Sequence, residues 1–344
     1  MSLTTVSFVL NGRTDRAISD ETRERVLGAA RELGYRPNGL VRGLVRGRTQ
    51  TVGVVVPRLD SSFHATIVQG IQEVCARRDH RILLADSRHE LEYEQRQVDL
   101  LLEHRVDGII SVAMPDDAPA ERTRSWVGRL AAEGVAFLVV DDHSFGDLVD
   151  CVVSDDLRGA RLAAEHLIAL GHRRIAHLSA GQAMSSSRDR RAGYLAALAA
   201  AGVAPDERLI AGGSYFLRAE ELRRAAEALL ALPDRPTALF AANDDLAAEA
   251  IAAARDLGLH VPGDLAVAGY GNTEVGRHLE ITSIHQEPLE MGRRAALRLS
   301  TRLEERDLPP EIELLPVRLV VRASSGARNL AAAPPAGRAA SDSA

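Results

Sequence analysis

The stretch Gly34-Tyr35-Arg36-Pro37-Asn38-Gly39-Leu40-Val41-Arg42-Gly43-Leu44-Val45-Arg46-Gly47-Arg48 divides the chain into two unlike parts. Before it lies a short, Arg-rich helical segment; after it, at Thr51-Val52-Gly53-Val54-Val55-Val56-Pro57, an α/β body begins. Gly34 is a helix stop, and Pro37 can open a new helix because its φ is preset and it has no first-turn donor to lose. The segment that follows sets Leu40, Val41, Leu44 and Val45 among Arg42, Arg46 and Arg48. It is too short, and too rich in Gly39, Gly43 and Gly47, to hold a helix alone in water. Such a segment folds against a partner, and its charge points to an anionic one; the plainer reading is a solvated linker.

At 344 residues the chain has room for more than one domain and an ample core. Its 46% hydrophobic and 26% charged residues are those of an ordinary globular protein. The net charge of -6 conceals an asymmetry: the first fifty residues are basic, so the remainder is more acidic than the whole. A basic arm on an acidic body suggests that the arm meets nucleic acid and the body does not. Cys75 and Cys151 lie in an apolar helix and an apolar strand pattern, as buried free thiols would. Neither a signal-peptide pattern nor a membrane-length apolar run is present, so a cytoplasmic protein with no membrane partner is expected.

Leu3–Leu10 reads as a helix stopped at Asn11-Gly12, with Val6, Val9 and Leu10 as its apolar stripe. Ser19 is the expected N-cap of a second helix, with Asp20 and Glu21 suited to its positive end. Val26, Leu27, Ala30 and Leu33 are its expected buried face. Two short helices cannot enclose a core, and an earlier helix against both would be expected.

From Thr51 onward, short apolar runs alternate with amphipathic helices. The runs are 52–56, 82–85, 108–113, 137–141, 152–154, 175–179, 238–242 and 265–270. The helices are 64–78, 91–104, 121–133, 157–170, 188–201, 218–231, 244–257 and 288–305. This alternation predicts parallel sheets covered on both faces, and there are too many units for one open sheet. The expected fold class is therefore α/β, with two doubly wound parallel-sheet lobes. Ligands bind beyond the carboxyl ends of such strands. Those ends are polar here and offer Ser61, Phe63, His64, Asp141, Ser154, Asp155, Asn243 and Asn272 as candidates. From Ser325 the chain turns to Ala, Pro, Ser and Gly, and 325–344 is expected to be a disordered tail.

These residues resemble the LacI/GalR (lactose-repressor) family of bacterial transcription regulators. The matching segments include Thr5-Val6-Ser7, Val9-Leu10-Asn11-Gly12, Gly34-Tyr35-Arg36-Pro37-Asn38 and Arg48-Thr49-Gln50-Thr51-Val52-Gly53-Val54. Further on come Leu170-Gly171-His172-Arg173-Arg174-Ile175, Ala242-Asn243-Asp244, Val261-Pro262-Gly263-Asp264 and Met291-Gly292-Arg293-Arg294-Ala295. Each is weak singly; in order along the chain they are specific.

The resemblance implies a partial helix-turn-helix headpiece and hinge helix at 1–48. The core behind it would be like type I periplasmic binding proteins, with one lobe at 51–154 plus 287–306 and the other at 155–286 plus 307–324. It places Thr4, Thr5, Ser7 and Asn11 at the major groove, and Tyr35 and Asn38 at the DNA backbone or groove edges. Val41 and Leu44 fall at the minor groove, with Leu44 as the wedge. In the core it implies Arg190 and Asn243 as effector contacts, Asp141 pointing into the cleft, and His64 where a stacking or apolar residue is usual.

Three departures stand out. The family's first helix is not in this sequence, so a version extended upstream is expected to bind operator more tightly. Phe8 stands where an Arg is common. Gly271 stands where sugar-binding members commonly carry Asp, which leaves either Asn272 to take over or a ligand other than a simple hexose. The partners implied are double-stranded operator DNA, a sugar, polyol or nucleoside effector, and a second copy in a homodimer. Ala331–Ala344 lacks Leu at heptad spacing, so no tetramer-forming coiled coil is expected.

No phosphate-cradling loop, nucleophile elbow or dinucleotide fingerprint is present, and the 11 His show no metal-ligand spacing. An enzyme is not expected, nor a cofactor or metal. The competing reading is an exported solute-binding protein, against which residues 19–48 and the absent signal peptide both argue.

Overall fold

A computed structural model describes residues 2–10, 18–35, 48–114, 119–179, 181, 184–212 and 219–326. The headpiece begins with α1 (Leu3–Leu10) and α2 (Asp20–Glu32). Ser19 caps α2 by accepting from the Thr22 amide at 3.3 Å, and Gly34 leaves it with φ +62°. Among the described side chains, Val9 and Val26 are the buried apolar residues of this pair. The expected buried face of α2 is only partly realised: Leu27 is 41% and Leu33 82% exposed. Two helices of 8 and 13 residues can cover each other along one line only. Leu33 is also the C-cap residue, already off that line.

The body holds two sheets. The first runs from β1 (Thr51–Val56) through β2 (Arg81–Asp86), β3 (Gly108–Val112), β4 (Phe137–Val140) and β5 (Asp150–Ser154), and is completed by β11 (Ile312–Leu315). Its order is β11-β5-β4-β3-β1-β2, parallel throughout. The second contains β6 (Ile175–Ser179), β7 (Ile210–Gly212), β8 (Ala238–Ala241), β9 (Ala266–Gly271), β10 (Thr282–His285) and β12 (Arg318–Val320). Its order is β12-β10-β9-β8-β6-β7, with only β12 antiparallel.

Helices cover both faces of each sheet, as continuous apolar strands require. On the first, α3 (Ser62–Arg77) and α11 (Pro288–Glu304) pack over Val52, Val54, Ile110 and Leu138. Its other face takes α4 (Leu91–Glu103) and α5 (Ala120–Ala132), which bury Val98, Trp126 and Leu130. The second sheet lies between α6 (Asp156–Ala169) with α7 (Ser185–Ala200) and α8 (Ala219–Leu230) with α9 (Asp244–Asp256). A short α10 (Glu274–His278) follows β9. The helices α3 and α11 meet almost backbone to backbone: a Cβ on Gly70 would lie 2.1 Å from the Leu289 carbonyl oxygen, and one on Gly292 2.0 Å from that of Ile67.

The chain crosses between lobes three times, after β5, after β10 and between β11 and β12. This corrects the expected second-lobe segment 307–324, because Ile312–Leu315 pairs with Cys151–Ser154 in the first sheet. Buried Asp150 is the cause. It accepts from Arg298 and Arg302 of α11 and from the Glu311 amide at 3.0 Å, and so draws the returning chain alongside β5. The tail also starts later than Ser325. Ser324 bonds the Thr282 amide and the Val267 carbonyl, and Ser325 bonds Thr282 and His166. Residues 327–344 lie outside the described ones. Both cysteines are buried and free. Among the described residues, no helix is long and apolar enough to cross a membrane.

Candidate ligand cleft and hinge base

A cavity of about 520 Å³ opens between the carboxyl ends of the two sheets, a size suited to a small organic molecule. The first lobe contributes Arg58, Ser61, Phe63 and His64 around the start of α3, and Asp141 after β4. The second contributes Met184, Arg190, Asn243 and Tyr270, and the crossing after β10 adds Gln286.

Arg190, only 4% exposed, is held on three sides. Its Nε donates to Asp156 Oδ1 at 2.9 Å and its Nη1 to the Ala242 carbonyl at 2.8 Å. Its guanidinium carbon lies 4.0 Å from the centre of the Tyr270 ring, a cation–π contact in a dry site. Tyr270 fits because residue 159 is glycine; a Cβ there would stand 2.3 Å from the hydroxyl.

Asp141 has the left-handed φ of +66° and is 8% exposed. Gln286 Nε2 donates to it at 3.4 Å. Burial, and then the nearby Asp156 carboxylate, pushes its pKa up to about 7 against the opposing pull of Arg190. At the rim, burial holds the His64 ring down to about 4, so it is neutral at pH 7. It meets Phe63 edge to face. Asn243 caps α9, its Oδ1 accepting from the Leu246 amide at 2.7 Å. With that oxygen committed, its amide donors are what it can offer a ligand.

Of the residues read from sequence, Ser61, Phe63, His64, Asp141, Arg190 and Asn243 come together here. Three do not. Ser154 lies behind the wall, accepting from Gln286 Nε2 at 3.1 Å and contacting Met291 sulfur. Asp155 is spent as the cap of α6, accepting from the Arg158 amide at 3.1 Å. Asn272 does not replace the missing family Asp. Its φ of +52° follows Gly271 at +113°, and its side chain is engaged by His285 and Arg322 instead. Gln286 and Arg58 were not identified from sequence, since a lone Gln between a strand and a helix carries no motif. The paired carboxylate Asp244 is structural: fully buried, it accepts from the Thr273 amide and hydroxyl and from Ser283. Among the described residues no cluster could hold a metal ion.

On the nucleic-acid side, Thr4 is exposed and Thr5 shares a 2.9 Å hydrogen bond with Ser2. Tyr35 is exposed, its amide returned to the Ala30 carbonyl. The Ser7 side chain, Asn11, Asn38, Val41 and Leu44 lie outside the described residues. Where the described chain enters the body it is fastened. Arg48 Nη2 donates to the Leu303 carbonyl at 2.7 Å, and Asp107 accepts from the amides of Thr49 at 2.8 Å and Thr51 at 3.3 Å.

Residues 1–38 match the family described as bacterial regulatory proteins, lacI family, and 164–325 match the periplasmic binding protein-like domain. The transcriptional repressor PurR of Mannheimia succiniciproducens is 31% identical over 328 residues, 94% of this chain and 95% of that protein. Among solved structures, the regulator CelR in complex with cellobiose is 32% identical with a TM-score of 0.72. The lac repressor dimer bound to operator and the anti-inducer ONPF is 28% identical with a TM-score of 0.80. Each comparison covers 94% of this chain and 96% of the other.

Proposed function

This chain belongs to the lacI family of bacterial regulatory proteins, and from that membership we propose a repressor whose hold on operator DNA is set by a neutral, hydroxyl-rich molecule in the inter-lobe cleft. It is a DNA-binding regulator whose relatives are transcription repressors rather than enzymes. The family match at residues 1–38 weighs against a solute-binding protein without DNA contact.

The observation that carries the reading is the cleft: two rigid sheets supply its walls, and Arg190 stands fixed inside it. Its charge supports the neutral class. Arg58 is bound by Asp60 through two hydrogen bonds of 2.9 Å and Arg190 by Asp156. Asp141, Asp245 and Glu249 also line the space. A phosphate or carboxylate would meet no uncommitted cation among the described lining residues, and burying it there would be costly. Hydroxyls can donate to Asp141 and accept from Asn243, while Phe63 offers an apolar face to a sugar ring or base.

Two protomers would set two hinges on a pseudo-palindrome. Thr4, Thr5, Ser7 and Asn11 would face the major groove, and Tyr35 and Asn38 the backbone. Val41 and Leu44 would enter the minor groove. Effector and operator then change each other's affinity by one common factor. A DNA-bound regulator of this kind resides in the cytoplasm.

Thermal shift over neutral sugars, polyols and nucleosides tests the cleft, with cellobiose first because CelR is solved with it. A neutral hit is expected to raise the melting temperature and to change gel-shift affinity for an operator selected from random duplexes. Shifts from sugar phosphates alone would defeat the charge argument. Full operator affinity in Leu44→Ala would remove the wedge.

A further inference from the structure

Away from the three crossings, the lobes are joined a fourth time, by side chains. The loop after β4 supplies Asp142, His143 and Ser144; the start of α7 supplies Ser185, Arg188 and Asp189. His143 Nε2 and Asp189 Oδ2 are 2.7 Å apart. The His143 amide donates to Ser185 Oγ at 2.8 Å, and the Ser185 amide returns a bond to Asp142 Oδ1 at 3.3 Å. Arg188 Nη2 donates to Ser144 Oγ at 2.8 Å. Asp142 also accepts from the Ser144 amide, which stiffens the loop that presents His143.

The two stitched segments are those that carry the cleft's polar floor: Asp141 precedes Asp142, and Arg190 follows Asp189. Moving either segment moves both the stitch and a lining residue. We propose that the His143–Asp189 pair, with the Ser185 exchange beside it, is the latch that holds the two lobes closed over the cleft and must part for a ligand to pass. Its role in ligand entry rests on the effector reading above; its role in closure does not. The pair suits a latch because its side chains are 36% and 30% exposed, so water can replace the bond when it opens.

The latch has a lever. Its bond to Asp189 raises the His143 pKa, with Asp142 adding to the effect. The other charged or titratable groups nearby are Arg188 on α7, Arg124 on α5, Asp147 in the same loop and buried Asp141 beside Asp142. Asp141's own pKa of about 7 makes the Asp189→Asn comparison the one that isolates the latch. Arg124 is occupied by Asp147 and the Ser144 carbonyl. Protonated His143 holds Asp189 as an ion pair, and the neutral ring as a hydrogen bond only. Alkaline conditions therefore loosen the latch.

Nitroxide labels at exposed Arg96→Cys in the first lobe and Ala199→Cys in the second read closure by electron–electron distance, since Cys75 and Cys151 are buried. In the ligand-free full chain, raising pH from about 6 to about 9 is expected to add a longer-distance population. Asp189→Asn is expected to show that population at both pH values. Should Asp189→Asn lose its fold by circular dichroism, His143→Gln takes its place. Coinciding distance distributions for latched and variant protein at both pH values overturn the proposal. No ligand is present, so a failed effector screen leaves this result standing, and a failed latch leaves the effector reading untouched.

Discussion

Arg190 and Asp156 pair across 2.9 Å with both side chains almost wholly buried. Removing one partner strands the other in a dry interior. Breaking such a pair costs about 3–5 kcal/mol, more than the pair itself contributes to stability. Arg190→Ala is therefore expected to lose roughly that amount in urea unfolding, and with it the melting-temperature gain from any cleft ligand. A stability within 1 kcal/mol of the parent, at about the error of a single surface change, would show that Asp156 is neutral without its arginine.

Asp141 makes stability depend on pH with a definite sign. Its folded pKa is raised to about 7, whereas an unfolded Asp titrates near ~3.9. Between those values the native state keeps a proton that the unfolded chain has released. Stability from this group is thus full below about pH 4 and is lost as pH rises through about 7. Asn cannot titrate, so the melting temperature of Asp141→Asn relative to the parent should climb across that window and level off above it. A constant difference in calorimetry would remove Asp141 as the titrating group.

The contact between α3 and α11 allows no side chain at its centre. A Cβ at Gly292 would sit 2.0 Å from the Ile67 carbonyl oxygen, and backbone on both sides has to move to admit it. Gly292→Ala is expected to destabilise by about 1–3 kcal/mol or more despite alanine's better helix propensity. Gly28→Ala, in α2 with nothing within 4 Å of its Cβ, is the control and should be neutral or mildly stabilising.

Asp107 fixes the base of the hinge by holding the Thr49 and Thr51 amides together. Asp107→Ala releases both, leaving the peptide after Arg48 easier to open. Trypsin should cut there faster in the variant, with the core fragment otherwise intact on a gel. Equal cleavage rates would mean that Arg48's bond to Leu303 suffices alone.

Sequence periodicity located the central strands other than Thr282–His285, and the helices beside them, because apolar runs such as Thr51–Val56 are buried on both faces and carry no competing signal. The short edge strands were opaque for the opposite reason. Ile312–Leu315 sets Glu313 between exposed Ile312 and Leu314, and Arg318–Val320 joins an exposed Arg to two half-buried apolar residues, as an edge permits, so no alternation marks either. Which sheet Ile312–Leu315 would join depended on Asp150, far away along the chain, meeting Arg298 and Arg302.

The cleft was legible where chemistry sits at a strand end and faces forward, as with Asp141 and Asn243. It was misread at Asn272, where the backbone turns the side chain toward Arg322. Nothing in a linear reading fixes that turn. Leu33 was misread on the headpiece because a helical stripe says which residues share a face, not whether anything covers it.

The two strands that end the body finish different sheets, and this gives the protein a timetable. While the nascent chain is still shorter than residue 312, the first lobe has made five of its six strands and has no edge partner for Asp150–Ser154. At synthesis rates of ~5–20 residues per second that wait is on the order of ten to thirty seconds. Neither lobe can mature on the ribosome ahead of the other, and a premature stop upstream of Ile312 would leave both with an open margin ready to pair with a neighbouring copy.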